Sequence, residues 1–200
     1  LDGTLGADSF TNSLGAAVDG FGVIQADTVN DGEMTYVAAS RVVGDLDNDG
    51  TITVQNEVFT ITGSLSGSGV IIGDFFGRGV NGLTVIGDLS LDASATLNMT
   101  EGTLKVGGNY DNAIDDTARF DMINAGLQMV GLAGTTQTLE LMSVDIGPVP
   151  PGLDDSFAGH FPVGSLRVGP TATTVTVVDA RDNVGDGQAD RHQEALRREL

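Results

Sequence analysis

Three aspartates at alternate positions, Asp45-x-Asp47-x-Asp49, run into Gly50. Calcium is held by carboxylate and carbonyl oxygens, and a calcium loop sets them at alternate positions before a glycine that permits a sharp turn. The match extends from Asp45 to Ile52 and then departs. The twelfth position is Asn56 rather than a bidentate Glu, and Glu57 comes one residue late. Thr51-Ile52-Thr53-Val54 reads as a strand, where a paired-helix calcium site needs a helix. A second acidic group, Asp182-x-x-x-Asp186-Gly187-x-x-Asp190, has Val184 at its third position. Calcium is therefore the cofactor suggested, at Asp45, Asp47 and Asp49 or at Asp182, Asp186 and Asp190. The competing reading is a solvated acidic turn, because the equivalent turn from Ser64 to Gly69 carries no carboxylate.

Acid–base and nucleophilic chemistry has one candidate region. The chain has two histidines, His160 and His192, too few for zinc, which takes three or four nitrogen or sulfur ligands. His160 shares a loop with Asp154 and Asp155, and Ser143, Ser156 and Ser165 lie near it in sequence. A serine triad needs such groups brought together in space. The strand-to-helix elbow that usually carries the nucleophile is missing, since Gly67-Ser68-Gly69 belongs to a coil turn. Asp154, Asp155 and His160 are the catalytic candidates if the protein is an enzyme.

These residues are carried by a repeat. Val43-Gly44-Asp45-Leu46 recurs as Thr62-Gly63-Ser64-Leu65, as Ile86-Gly87-Asp88-Leu89 and, loosely, as Val106-Gly107-Gly108-Asn109-Tyr110. With glycines at 44, 63, 87 and 107, the period is near twenty residues, which signals a solenoid. After each phrase come a polar turn and an alternating apolar run, so Met34, Tyr36, Ile52 and Val54 are expected to face one interior. Gly at the turn is expected to supply a left-handed backbone. Asp74-Phe75-Phe76-Gly77-Arg78-Gly79 is an insertion, and insertions leave a solenoid on one face, often the binding face. Gly147-Pro148-Val149-Pro150-Pro151-Gly152 opens a long loop over 147–162, because proline cannot donate to a strand ladder. The expected fold is all-β, a right-handed parallel β-helix (β-solenoid) of roughly eight to nine coils at about twenty residues each. Residues 1–28 form irregular N-terminal coils or a cap, 29–178 the solenoid, and 179–200 an acidic loop and short helical tail.

Composition agrees. Aromatic residues are only 5% of the chain, which suits a narrow stack of Val, Ile, Leu and Ala. The acids are 22 Asp against 6 Glu, a bias toward turns rather than helices. A net charge of −19 argues against nucleic acid and anionic membranes as partners. No apolar run is long enough to span a bilayer. There is no cysteine, so no disulfide or thiol chemistry is available.

The stretch from about Val42 to Leu196 resembles a family of secreted β-solenoid repeat proteins of planctomycete-type bacteria. The resemblance is carried by Gly102-Thr103-Leu104-Lys105-Val106-Gly107-Gly108-Asn109-Tyr110, Val144-Asp145-Ile146-Gly147-Pro148, Leu166-Arg167-Val168-Gly169-Pro170 and Val178-Asp179-Ala180-Arg181-Asp182-Asn183. It is broadly similar to autotransporter passenger repeats as well. The resemblance implies an extracellular or cell-surface protein and no established catalytic residues. That family continues with an aromatic residue and a strand after Glu194-Ala195-Leu196, whereas Arg197-Arg198-Glu199-Leu200 follows here, a departure that suggests truncation or a shifted frame.

Two functions are expected from this reading. The first is a structural, adhesive or carbohydrate-contacting rod that meets a polysaccharide or cell-surface ligand through Phe75, Phe76 and the 147–162 loop. The second is a secreted hydrolase or lyase on the same scaffold, with calcium, acting on a polysaccharide or a small ester or lactone.

Overall fold

The computed structural model describes residues 1–55, 57–74, 82–140, 163–169 and 174–177. The alternating runs are strands. In chain order they are β1 (Asp2–Asn12), β2 (Ala17–Asn30), β3 (Glu33–Val42), β4 (Leu46–Asn48), β5 (Thr51–Gln55), β6 (Val58–Ile61), β7 (Leu65–Gly67), β8 (Val70–Asp74) and β9 (Gly82–Val85). They continue as β10 (Leu89–Leu91), β11 (Thr96–Met99), β12 (Thr103–Val106), β13 (Tyr110–Asn112), β14 (Phe120–Met129), β15 (Thr136–Glu140), β16 (Val163–Val168) and β17 (Thr174–Val177). A 3-10 turn covers Thr117–Arg119. No helix among the described residues is long and apolar enough to cross a membrane.

Every described pairing is parallel, and from β4 to β11 each strand pairs with the one three elements later. The long β14 then serves two faces, so β12 pairs with β14 and β13 with β15. One face stacks β5, β8, β11 and the first part of β14. The next stacks β6, β9, β12, the second part of β14, and β16. The third stacks β4, β7, β10, β13, β15 and β17. This is a β-solenoid of about six turns with three strands to a turn. The longer β3 serves two faces, pairing Glu33–Tyr36 with β5 and Ser40–Val42 with β6. Near the N-terminus β1 pairs in parallel with β2, which places Phe10, Val18 and Phe21 on strands and Leu14 in the turn between them.

Alternation sends one row per face inward, and the rows stack in register. Met34, Ile52, Ile71, Leu97 and Phe120 form one such row, all buried. Leu46, Leu65, Leu89, Tyr110 and Leu139 form another. Each fully buried side chain of this size contributes roughly 1.5–3 kcal/mol, so a coil is stable only with neighbours above and below it. Tyr36 and Phe59 stack between two faces with ring centroids 4.3 Å apart. Burial raises the pKa of the Tyr36 hydroxyl, and burial with the nearby Asp111 charge does the same for Tyr110.

A polar row also runs inside. Asn12 Nδ2 donates to Asn30 Oδ1 and Asn30 Nδ2 to Asn48 Oδ1, each at 2.7 Å. The same amides reach the Glu33 and Thr51 carbonyls, so these buried side chains are paired rather than stranded.

The coils are less regular than the repeat phrase suggests. Successive corner residues are 18, 19, 24, 21 and 29 residues apart along the chain. Gly108, not Gly107, stacks on Gly87, its N–H donating to the Gly87 carbonyl at 2.8 Å. The described residues make about six turns, where eight to nine coils were expected of the whole chain. The 147–162 loop and the 179–200 tail lie outside the described residues.

Candidate functional site

The aspartates on β4 and at its two ends act between coils. Asp45, Asp47 and Asp49 alternate outward around the buried Leu46 and Asn48. In an extended strand such neighbours stand about 6.6 Å apart, so they spread along the chain instead of closing round a point. Each meets a serine of the following coil. Asp45 Oδ1 accepts from the Ser64 N–H at 2.7 Å and Asp47 Oδ1 from the Ser66 hydroxyl at 3.2 Å. Asp49 Oδ1 accepts from both the Ser68 N–H, at 3.0 Å, and the Ser68 hydroxyl, at 2.7 Å. The Ser68 hydroxyl, then its N–H, hold the Asp49 pKa below the usual carboxylate value, against a smaller desolvation effect. Serines therefore stand where a second layer of carboxylates would repel the first.

The corner residue itself repeats this device along the axis. Asp27 Oδ1 accepts from the Asp45 N–H at 3.0 Å, and the Ser64 hydroxyl oxygen from the Asp88 N–H at 3.2 Å. Asp88 Oδ1 accepts from the Asn109 N–H at 2.6 Å, and Asn109 Oδ1 from the Thr138 N–H at 2.8 Å. A corner N–H turns out of the strand ladder, and a short oxygen-bearing side chain from the coil before satisfies it. No group of three or more His, Cys, Asp or Glu side chains arranged to hold a metal occurs among the described residues.

Gly50 has a different reason from the one expected. It is not among the positive-φ glycines. A Cβ there would collide with the carbonyl oxygen of Gly32 in the coil before, and a Cβ on Gly69 would strike that of Gly50. Close approach of stacked turns, rather than a left-handed backbone, requires glycine at these positions.

The second face carries the opposite charge. Its strand segments Ser40–Val42, Val58–Ile61, Gly82–Val85, Thr103–Val106, Gly126–Met129 and Val163–Val168 contain no Asp or Glu. Register stacks Arg41 on Thr60, Thr60 on Thr84, Thr84 on Lys105, Lys105 on Gln128 and Gln128 on Arg167. The described residues include four Lys or Arg, and three of them stand in this one outward row. The fourth, Arg119, is paired with Asp115 and Asp116. Arg41 and Arg167 are exposed and Lys105 is half-buried. None of these three has an ion pair or hydrogen bond from its side chain among the described residues.

The row ends in a groove of about 740 Å³ across β12, β14 and β16. Its walls include Glu101, Thr103, Asn124, Gln128, Ser165 and Arg167. Ile123, 51% exposed, adds an apolar surface beside them. Hydroxyls, amides, a carboxylate and a guanidinium at one opening can bind a polyhydroxylated ligand, and the volume suits a small-molecule site. A second depression of about 480 Å³ follows the Gly32, Gly50 and Gly69 corner, with Asp31, Glu33 and Asp49 at its edge.

Sequence reasoning missed the basic row. The signal that finds it is the corner glycine: Arg41, Thr60, Thr84 and Lys105 each stand three residues before Gly44, Gly63, Gly87 and Gly108. Of the residues singled out from sequence, Asp45, Asp47 and Asp49 line one coil-to-coil edge, each against a serine of the next coil rather than against one another. The catalytic candidates Asp154, Asp155 and His160, the acidic group Asp182, Asp186 and Asp190, and the aromatic pair Phe75 and Phe76 lie outside the described residues. Comparison with known proteins finds no matching family model, no similar curated protein and no similar solved structure.

Proposed function

We propose that the protein is an extracellular or cell-surface structural rod that contacts carbohydrate through a lateral face. The observation that carries this reading is the Arg41–Thr60–Thr84–Lys105–Gln128–Arg167 row, whose three cations have no partner among the described residues and which leads into the groove at Thr103, Asn124 and Ser165. Stacked coils hold the backbone positions of these residues at the strand spacing of about 4.8 Å, so their spacing along the axis is set before a ligand arrives. The resemblance to secreted planctomycete-type solenoids supports the extracellular placement. The right-handed winding that parallel crossovers favour belongs to the same reading.

Co-sedimentation with a panel of insoluble and soluble polysaccharides tests it. Retention on at least one polymer, reduced by Arg167→Ala, is expected. Retention on none would reject carbohydrate contact. Turnover of glycosides, uronates, esters or lactones, lost in Asp154→Ala or His160→Ala, would favour the secreted hydrolase or lyase instead, and calcium dependence of that turnover would place the metal.

A further inference from the structure

The face that carries the row is the one place among the described strands where charge and spacing together specify a ligand. We infer that its ligand is an extended acidic polysaccharide lying along the solenoid axis, with carboxylates against Lys105 and Arg167. This inference rests on the carbohydrate-contacting reading and adds the ligand's charge, direction and register.

Three observations carry it. In a chain of net charge −19, the six strand segments of this face hold no carboxylate, and three cations share one outward row. Those cations have no partner among the described residues, whereas Arg119, the remaining described cation, is paired. Finally, the row is linear and evenly stepped. One coil advances by about 4.8 Å, close to the advance per ring of an extended β-linked pyranose chain, so successive sugars meet equivalent positions.

Lys105 and Arg167 are separated by the single Gln128 position, or about 9.6 Å at two strand spacings. A polymer with a uronate at every second sugar places its carboxylates at that interval. The intervening neutral sugar then lies over Gln128, whose amide can both donate to and accept from hydroxyls. Thr84 and Thr60 continue the same contacts toward Arg41. Arg167 supplies a planar fork that takes a carboxylate through two parallel hydrogen bonds, and Lys105 supplies a compact charge. Glu101, in the groove, accepts from a sugar hydroxyl. The acidic corners bounding the face are screened over a Debye length of about 8 Å at physiological salt, which leaves short-range contacts to the row dominant.

Fluorescence anisotropy with two labelled polymers of equal length tests the inference. One alternates a uronate with a neutral sugar, and the other is a neutral β-linked glucan. The acidic polymer is expected to bind more tightly, to weaken as salt rises, and to lose about tenfold in affinity in Lys105→Ala and in Arg167→Ala. Thr84→Lys adds a cation to the row and is expected to gain affinity, a result misfolding cannot imitate. Melting curves of each variant check that the fold is retained. Equal binding of both polymers with no effect of these substitutions would overturn the acidic-ligand inference and leave carbohydrate contact standing. Binding of neither polymer would reject both. Salt-sensitive self-association abolished by the same substitutions, without polymer binding, would assign the row to a second copy of the chain and overturn the inference.

Discussion

The corner formed by β4 and its flanking residues and the face of β6, β9 and β12 treat charge in opposite ways. At the corner, Asp45, Asp47 and Asp49 are each engaged by a serine of the following coil. On the face, Arg41, Lys105 and Arg167 reach solvent with no protein partner among the described residues. The carboxylates, although more numerous and closer to a calcium pattern in sequence, do structural work. Among the described residues, three of the four cations are left available. In a stacked fold, whether a charged side chain is free depends on what the next coil places opposite it, not on its neighbours along the chain.

The comparison can be broken first at Gly50. Gly50→Ala drives a methyl group into the Gly32 carbonyl oxygen and is expected to cost about 2 kcal/mol, read from denaturant unfolding. A melting point within error of the parent would show that the turns do not stack as described.

Ser68→Asp sets a carboxylate against Asp49 and removes the hydroxyl that Asp49 accepts from. A loss of about 1 kcal/mol is expected, partly restored by added salt. Ser68→Asn, which keeps a donor without charge, should recover most of it. If both variants were equally unstable, repulsion would not be the cause.

The pH dependence sharpens the corner further. The Ser68 contacts lower the Asp49 pKa in the folded protein, so folding gains stability that is fully present above the ordinary aspartate pKa. It is lost as pH falls through the lowered folded value. Asp49→Asn should therefore flatten the acid limb of the melting-temperature profile and leave the limb above neutrality unchanged. Parallel profiles for parent and variant would remove Asp49 from the coil-to-coil edge.

The smallest effect is expected on the basic face. Arg41→Ala and Lys105→Ala remove side chains with no partner among the described residues, so stability should change by no more than about 0.5 kcal/mol. A larger loss in thermal unfolding would mean that the row is structural like the corner, and the distinction between the two regions would disappear.

Much of the fold was legible in the sequence because the period-two rows were clean. Met34, Tyr36, Ile52 and Val54, expected to face one interior, are all buried. The turn role of aspartate was also legible, though its partner was not: the N–H that Asp45 caps belongs to Ser64, nineteen residues on. The asparagine ladder of Asn12, Asn30 and Asn48 escaped notice because asparagine near a turn reads as a turn residue unless its register with the next coil is known.

By itself, then, the sequence determined that apolar residues alternate and that a glycine-bearing phrase recurs, which is enough to choose parallel stacking around a common core. Only the tertiary structure decided which residues share a row. The steps between corner residues vary from 18 to 29, so no fixed period carries Arg41 onto Lys105 and Arg167, and backbone pairing across coils is what aligns them. Local chemistry sets the direction of each side chain, while inter-coil hydrogen bonding sets its neighbours, and the neighbours decide whether a charge is engaged or free.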